Sequence, residues 1–234
     1  GKELSRLSEE NNSFIGYEAA VAGGIPIIKT LRSGLVLDQV KGVYGILNGT
    51  SNFILSKMSE ENKSFEDALS EAQILGYAEA DPSFDINGLD VAHKLSIINS
   101  LCFAEFPSIE SINVKGIEAI LTLDHKYAKE LGYNIKLTAS SFSEGGSLRK
   151  EVSPTLVEMG SSLGRVSGVS NVVCINTDYN GTIILEGEGA GEGPTSTSVL
   201  SDIVDYSSNN KQYLFNKKFA DLLDSKCNNS VIDR

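Results

Sequence analysis

Tryptophan is absent from the 234 residues, and cysteine, methionine, histidine and proline are scarce at three, two, two and five. Cys102, Cys174 and Cys227 are odd in number and show no CxxC spacing, so neither a disulfide scaffold nor a thiolate metal site is indicated. Cys102 and Cys174 each lie inside an apolar run, where a thiol serves as a small hydrophobe, and a reduced, cytoplasmic setting is the expectation. His93 and His125 stand apart without ligand spacing, which argues against zinc. No apolar run approaches the roughly 20 residues that span a bilayer. No charged and then apolar leader opens the chain. Cations are outnumbered as well, with 20 Lys and Arg against 31 Asp and Glu for a net charge of -11. Sequence-independent nucleic-acid binding needs clustered Lys and Arg to displace counterions, so that class is set aside along with membrane partners.

What remains is an ordinary globular composition, 41% hydrophobic and 22% charged, long enough for one large domain or two small ones. GKELSRLSEENN has helical spacing at Leu4 and Leu7, and FIGYEAAV reads as a strand. IIKTLRSGL is a short helix closed by Gly34, and VYGIL is a strand. Asn48-Gly49 supplies a turn, with Thr50 or Ser51 expected to cap the helix SNFILSKMSEE. SFEDALSEAQILGY is a helix opened by a Ser64/Asp67 capping box and ended by Gly76. Strands IKLTASSF, LRKEVSPTLV, NVVCINTD and TIILEG follow, the last two joined at Asn180-Gly181. GEGAGEGPTSTSVLSDIVDYSS places a glycine loop before a helix. The predicted fold is α+β, a mixed or antiparallel sheet covered by helices on one face, with strands near Val43, Ile135, Val172 and Ile183.

The stretch GYAEADPSFDINGLDVAHK, residues 76–94, leads straight into the apolar LSIINSLCF. Asp90 and Lys94 stand four residues apart and share one helical face. Two ordinary readings exist: Asn87 as N-cap with Asp90 at N3, or a surface ion pair worth about 0.2–0.5 kcal/mol. Against them, the same helix continues with apolar residues all round, the pattern of a buried element. Charges at the edge of a core persist where they are paired or functional, which leaves a functional site and a structural ion pair both open. Glu79 and Asp85 lie on a loop that Pro82 keeps out of helix. An acid-lined pocket with one lysine suits a substrate that carries an ammonium and an oxygen needing a proton, as carbonyl reduction requires.

Four stretches in order, YEAAVAGGIPIIKTLRSGL, VYGILNGTSNFIL, EAQILGYAEADPSFDINGLDVAHKL and GEGAGEGPTSTSVLSDI, resemble the successive signatures of homoserine dehydrogenases and span Phe14 to Asp205. The resemblance implies NAD- or NADP-dependent interconversion of L-homoserine and L-aspartate 4-semialdehyde, in threonine, methionine and isoleucine biosynthesis. It assigns Lys94 as the proton donor with Asp90 beside it, and Glu79, Tyr77 and Asp85 to substrate. It puts Gly189 at the nicotinamide edge, and a monovalent cation, usually sodium, on the main-chain carbonyls of Glu18, Val21, Gly23 and Ile25. A homodimer is implied too. Relatives carry a Rossmann domain of roughly a hundred residues upstream, whereas no G-x-G-x-x-G occurs here and GEGAGEG does not match it. The implied organisation is a nucleotide-domain remnant at 1–15 and a catalytic and dimerisation domain at 16–186. A glycine loop and helix against the nucleotide domain follow at 187–208, then a peripheral tail at 209–234. By itself such a chain is expected to have little or no activity. Two other readings use the same residues: a metal-independent hydrolase with Glu79 and Asp85 as its carboxylate pair, and a non-catalytic amino-acid-binding or oligomerisation module.

Overall fold

The structure, a computed structural model, describes residues 1–106, 108–145, 147–208 and 213–222; Cys227 falls outside them. Six strands form one sheet: β1 (Val40–Ile46), β2 (Asn113–Val114), β3 (Tyr133–Glu144), β4 (Ser147–Glu158), β5 (Ser170–Thr177) and β6 (Thr182–Glu188). Their order is β2-β4-β3-β1-β5-β6. Every pairing is antiparallel except β2 with β4, so the sheet is mixed. The helices are α1 (Lys2–Glu10), α2 (Ile27–Lys29), α3 (Gly49–Glu61), α4 (Phe65–Ile74), α5 (Ser83–Ile86), α6 (Leu89–Phe103), α7 (Thr122–Glu130) and α8 (Glu192–Ser207). Helices concentrate between β1 and β3, as their 3.6-residue patterning requires.

The main core lies between the helices and one face of the sheet. Phe53, Ile54, Leu55 and Met58 of α3 and Val91, Leu95 and Ile98 of α6 meet Leu137, Ala139, Val173 and Ile175. Full burial of each Leu or Ile contributes about 1.5–3 kcal/mol, so α6 is held by its apolar body while its first turn is free to carry charge. On the other face, Leu163 and Val166 cover Ile46, Val172 and Cys174 in a smaller cluster. Lys136 is buried where β3 runs past the end of β1, and its ammonium donates to Val166 O at 2.6 Å and to Asn52 Oδ1 at 3.1 Å. Burial lowers its pKa to about 8.

Three local expectations change. Residues 14–21 are not a strand: a 3-10 turn at Glu18–Ala20 sits there, with the Glu18 carboxylate accepting from Ile28 N and Lys29 N at the start of α2. An acid satisfying exposed helix donors outweighs the strand propensity of Phe14, Ile15 and Tyr17. The cap of α3 is Asn48 itself, whose side chain accepts from Ser51 N at 2.8 Å; Thr50 and Ser51 lie inside the helix. Within the tail expected to be peripheral, residues 213–222 pack on the core through Leu214, Phe215 and Leu222, and Asn216 Nδ2 donates to Leu31 O at 3.2 Å. Polar neighbours had masked three apolar anchors.

Candidate active site

Two helix N-termini and one loop converge at the end of β1. Gly88 turns the chain into α6 with φ +84, a conformation that suits glycine, and a Cβ there would meet Val114 and Val152 side-chain carbons at 3.2 Å. Asn87 Oδ1 accepts from Leu89 N at 3.0 Å, so Asn87 does serve the helix start, one residue before its Gly88 N-cap. Asp90 follows in the first turn, where the helix dipole favours an acid. Lys94, one turn on, donates to Asp90 Oδ2 at 2.7 Å and to Leu47 O at 3.0 Å. The two side chains are 20% and 19% exposed, enough to be reached from solvent.

Asn48 ties this pair to the loop. Its Nδ2 donates to Asp90 Oδ2 and to Asp85 Oδ1, both at 2.8 Å, while its Oδ1 caps α3. Asp85 is further fixed through its carbonyl, which accepts from Ser51 Oγ at 2.9 Å. The Asp85 carboxyl is held above the usual carboxylate range, first by burial and then by the neighbouring charges of Asp90 and Glu79; the Asn48 amide and Lys94 pull the other way. Lys94 is spent on Asp90, so Asp85 offers negative charge to an incoming cation. Sequence patterning missed Asn48, because its Asn-Gly step reads as a turn signal. Its capping offset to Ser51 was the available clue.

Tyr77 and Glu79 stand at the mouth. Thr50 Oγ1 donates to Tyr77 O at 2.6 Å, the Tyr77 ring lies 5.0 Å from that of Phe53, and Gln73 donates to Glu79 O at 3.2 Å. Both side chains are exposed, and Glu79 reaches the cluster through its charge on Asp85. Lys94, Asp90 and Asp85 therefore form one bonded network, with Glu79 and Tyr77 on its rim. The arrangement can bind an ammonium and exchange a proton at Lys94.

The second group of candidate residues meets elsewhere. Glu18, Val21 and Ile25 are buried in a turn with φ +54 at Ala22 and +50 at Gly23. Gly23 O accepts from Ser198 Oγ at 2.7 Å and Ile25 O from Ile27 N at 2.7 Å. A carbonyl oxygen has two lone pairs, so each keeps one, and the four carbonyls fit a hard cation in kind. Among the described residues no three His, Cys, Asp or Glu side chains form a metal cluster. Gly189 packs on this turn: a Cβ at Gly23 would fall 2.4 Å from Gly189 O. The glycine loop and the 18–25 turn, distant in sequence, are thus one packed unit at the start of α8.

The sequence profile of the family described as Homoserine dehydrogenase matches residues 26–204. The homoserine dehydrogenase of Neisseria gonorrhoeae is 47% identical over 205 residues, covering 88% of this chain and 47% of the relative. That of Lactococcus lactis is 42% identical over 219 residues, covering 94% of this chain and 51% of the relative. The crystal structure of a homoserine dehydrogenase from Thiobacillus denitrificans superposes with a TM-score of 0.91 at 39% identity, over 97% of this chain and 54% of that one. A hyperthermophilic archaeal homoserine dehydrogenase in complex with NADPH gives a TM-score of 0.76 at 34% identity, over 89% of this chain and 60% of that one. The chain spans about half the length of the curated relatives it matches.

Proposed function

The chain belongs to the homoserine dehydrogenase family, and from that premise we propose that it is the substrate-handling part of such an enzyme, acting with an NAD(P)-binding domain. The reaction is the reversible interconversion of L-homoserine and L-aspartate 4-semialdehyde, a step toward threonine, methionine and isoleucine, in the cytoplasm. The observation that carries this reading is the network in which Lys94 Nζ lies 2.7 Å from Asp90 Oδ2 beside Asp85 and Asn48.

NADP or NAD, when bound, accepts or supplies the hydride at the substrate carbon. Lys94 exchanges the proton of the substrate oxygen, giving it up as the aldehyde is reduced and taking it, directly or through water, as the alcohol is oxidised. Asp90 holds Lys94 aimed through their 2.7 Å contact. Asp85 and Glu79 bind the α-ammonium, and Tyr77 closes the rim over the substrate chain. Gly189 would border the nicotinamide, in a loop whose approach to the buried Asn171 amide leaves no room for a side chain. A sodium ion on the carbonyls of Glu18, Val21, Gly23 and Ile25 would brace the turn under that loop. Replacing sodium by choline, with thermal stability and cofactor affinity as readouts, tests that assignment.

Residues 16–186 form the catalytic and dimerisation unit, and residues 1–15 and 187–208 face the dinucleotide domain. Val199, Leu200, Ile203 and Val204 of α8 are exposed, an apolar face that supports a covering partner. A homodimer through the open sheet face is proposed too. Tyr44 and Phe142 stack there at 6.0 Å beside a depression of about 670 Å³.

The deciding experiment joins this chain to a dinucleotide-binding domain and assays homoserine-dependent NADP reduction in parent and Lys94→Ala. The expected result is activity in the parent and a loss of kcat of about 10²–10⁴-fold in the folded variant. Unchanged kcat would leave Lys94 as an ion-pair partner alone.

A further inference from the structure

Asn171, at the start of β5, is fully buried, yet neither its amide oxygen nor its amide nitrogen has a hydrogen-bond partner. Buried side-chain polar atoms are nearly always paired, so an amide unpaired at both ends calls for a physical reason. The glycine loop lies directly against it: a Cβ on Gly189 would fall 2.1 Å from Asn171 Nδ2. Asn171 stands opposite Gly187 in the sheet, and Ser170 opposite Glu188 ends the β5–β6 ladder. Beyond that pair come Gly189, Ala190 and Gly191, the last at φ +117, a run whose glycines let a peptide plane rotate. Two residues upstream of Asn171, Val169 O touches the start of α3, where a Cβ on Gly49 would fall 2.7 Å away. The 169–171 segment thus runs between the start of α3 and the glycine loop, touching α3 through Val169 and the loop through Asn171.

We propose that Asn171 is a positioning residue for the dinucleotide. Its amide is the partner of the Gly189–Ala190 peptide in the cofactor-bound state, and the pair forms when the nicotinamide end seats on the loop. A primary amide presents a donor and an acceptor side by side, matching a peptide N–H and C=O. Pairing this buried amide then strengthens cofactor binding, because seating the dinucleotide also satisfies it. The inference rests on the reading of the glycine loop as the nicotinamide edge.

The test uses the enzyme joined to its dinucleotide domain, with Asn171→Leu and, as a second variant, Asn171→Ala. Leucine has nearly the shape of asparagine and removes two unpaired polar atoms. The melting temperature without cofactor should therefore hold or rise, while KM for NADP rises about tenfold and KM for homoserine stays within about twofold. Hydrogen exchange at residues 188–191 should slow on adding NADP in the parent and much less in the variants. Lower melting temperatures with unchanged KM for NADP in both variants would make Asn171 a purely structural residue. Equal protection of the loop in parent and variants, with unchanged KM, overturns the inference alone. No protection in the parent overturns the loop reading, and the inference falls with it.

Discussion

At the scale of single residues, Asn48 holds the site together. One amide group donates to two carboxylates while its oxygen caps α3. Asn48→Ala removes a cap, typically about 1 kcal/mol, and leaves Asp85 and Asp90 without their shared donor. A loss of about 2 kcal/mol in urea unfolding is expected from the two effects together. Asn48→Asp keeps the capping oxygen but adds a third negative charge, so it should lose stability chiefly at neutral pH and regain it in acid. Equal losses at both pH values would show that the carboxylates do not feel Asn48. His125 behaves differently. It is buried on α7 with both ring nitrogens unpaired, and burial, with the charges of Lys129 and Lys136, lowers its pKa from 6.5 to about 4. The unfolded chain then binds the extra proton first. The stability due to a neutral His125 is whole above pH 6.5 and drains away as pH falls toward 4, about 3 kcal/mol in all. His125→Leu should flatten urea midpoints over that window, and an unchanged acid slope would exclude His125 as the sensor.

Among the elements, α6 does the positioning. Its body is buried on the sheet, and the entry turn at Gly88 fixes where Asp90 and Lys94 emerge. Gly88→Ala forces a Cβ into a left-handed conformation, costing about 1–2 kcal/mol, and presses on Val114 and Val152. That loss should appear in thermal unfolding. Because the displaced turn carries Asp90, the proposed homoserine reaction should show a higher KM in the same variant joined to a dinucleotide-binding domain. The sheet itself explains a second element property. Lys136 is clamped between β3, α3 and the 159–167 segment by Asn52 and Val166, and its pKa of about 8 lies below the usual 10.5. The unfolded chain holds this proton between those values, so stability from this group rises from pH 8 toward 10.5. Lys136→Met should abolish that rise while leaving the far-ultraviolet circular dichroism unchanged.

At the scale of the whole molecule, two of the surfaces formed by the described residues carry proposals. One is the α8 face proposed to meet the dinucleotide domain, and the other is the sheet face proposed as the dimer contact. A dimer at micromolar concentration is expected in sedimentation. Phe142→Asp, which sets a charge beside Tyr44 on that face, should shift it toward monomer by desolvation of an unpaired carboxylate. A parent that sediments as a monomer when joined to its dinucleotide domain removes the dimer proposal.

Periodicity and punctuation determined which segments become α3, α4, α6 and β3 to β6, because amphipathic spacing and glycine or asparagine turns are local properties. The Asp90–Lys94 pair was legible for the same reason: four residues on a helix are neighbours wherever the helix lies. Local sequence could not show that Phe14–Val21 yields its strand propensity to a capping glutamate. Nor could it show that Leu214 and Phe215 close the core from a polar tail. Those outcomes depend on which distant donors and cavities a residue meets. Only the tertiary structure brought Asn48 against Asp85 and Asp90, and Asn171 against Gly189. Each of those contacts joins residues 18 to 42 positions apart, and side chains that far apart in sequence acquire partners only when packing has set the distance between their elements.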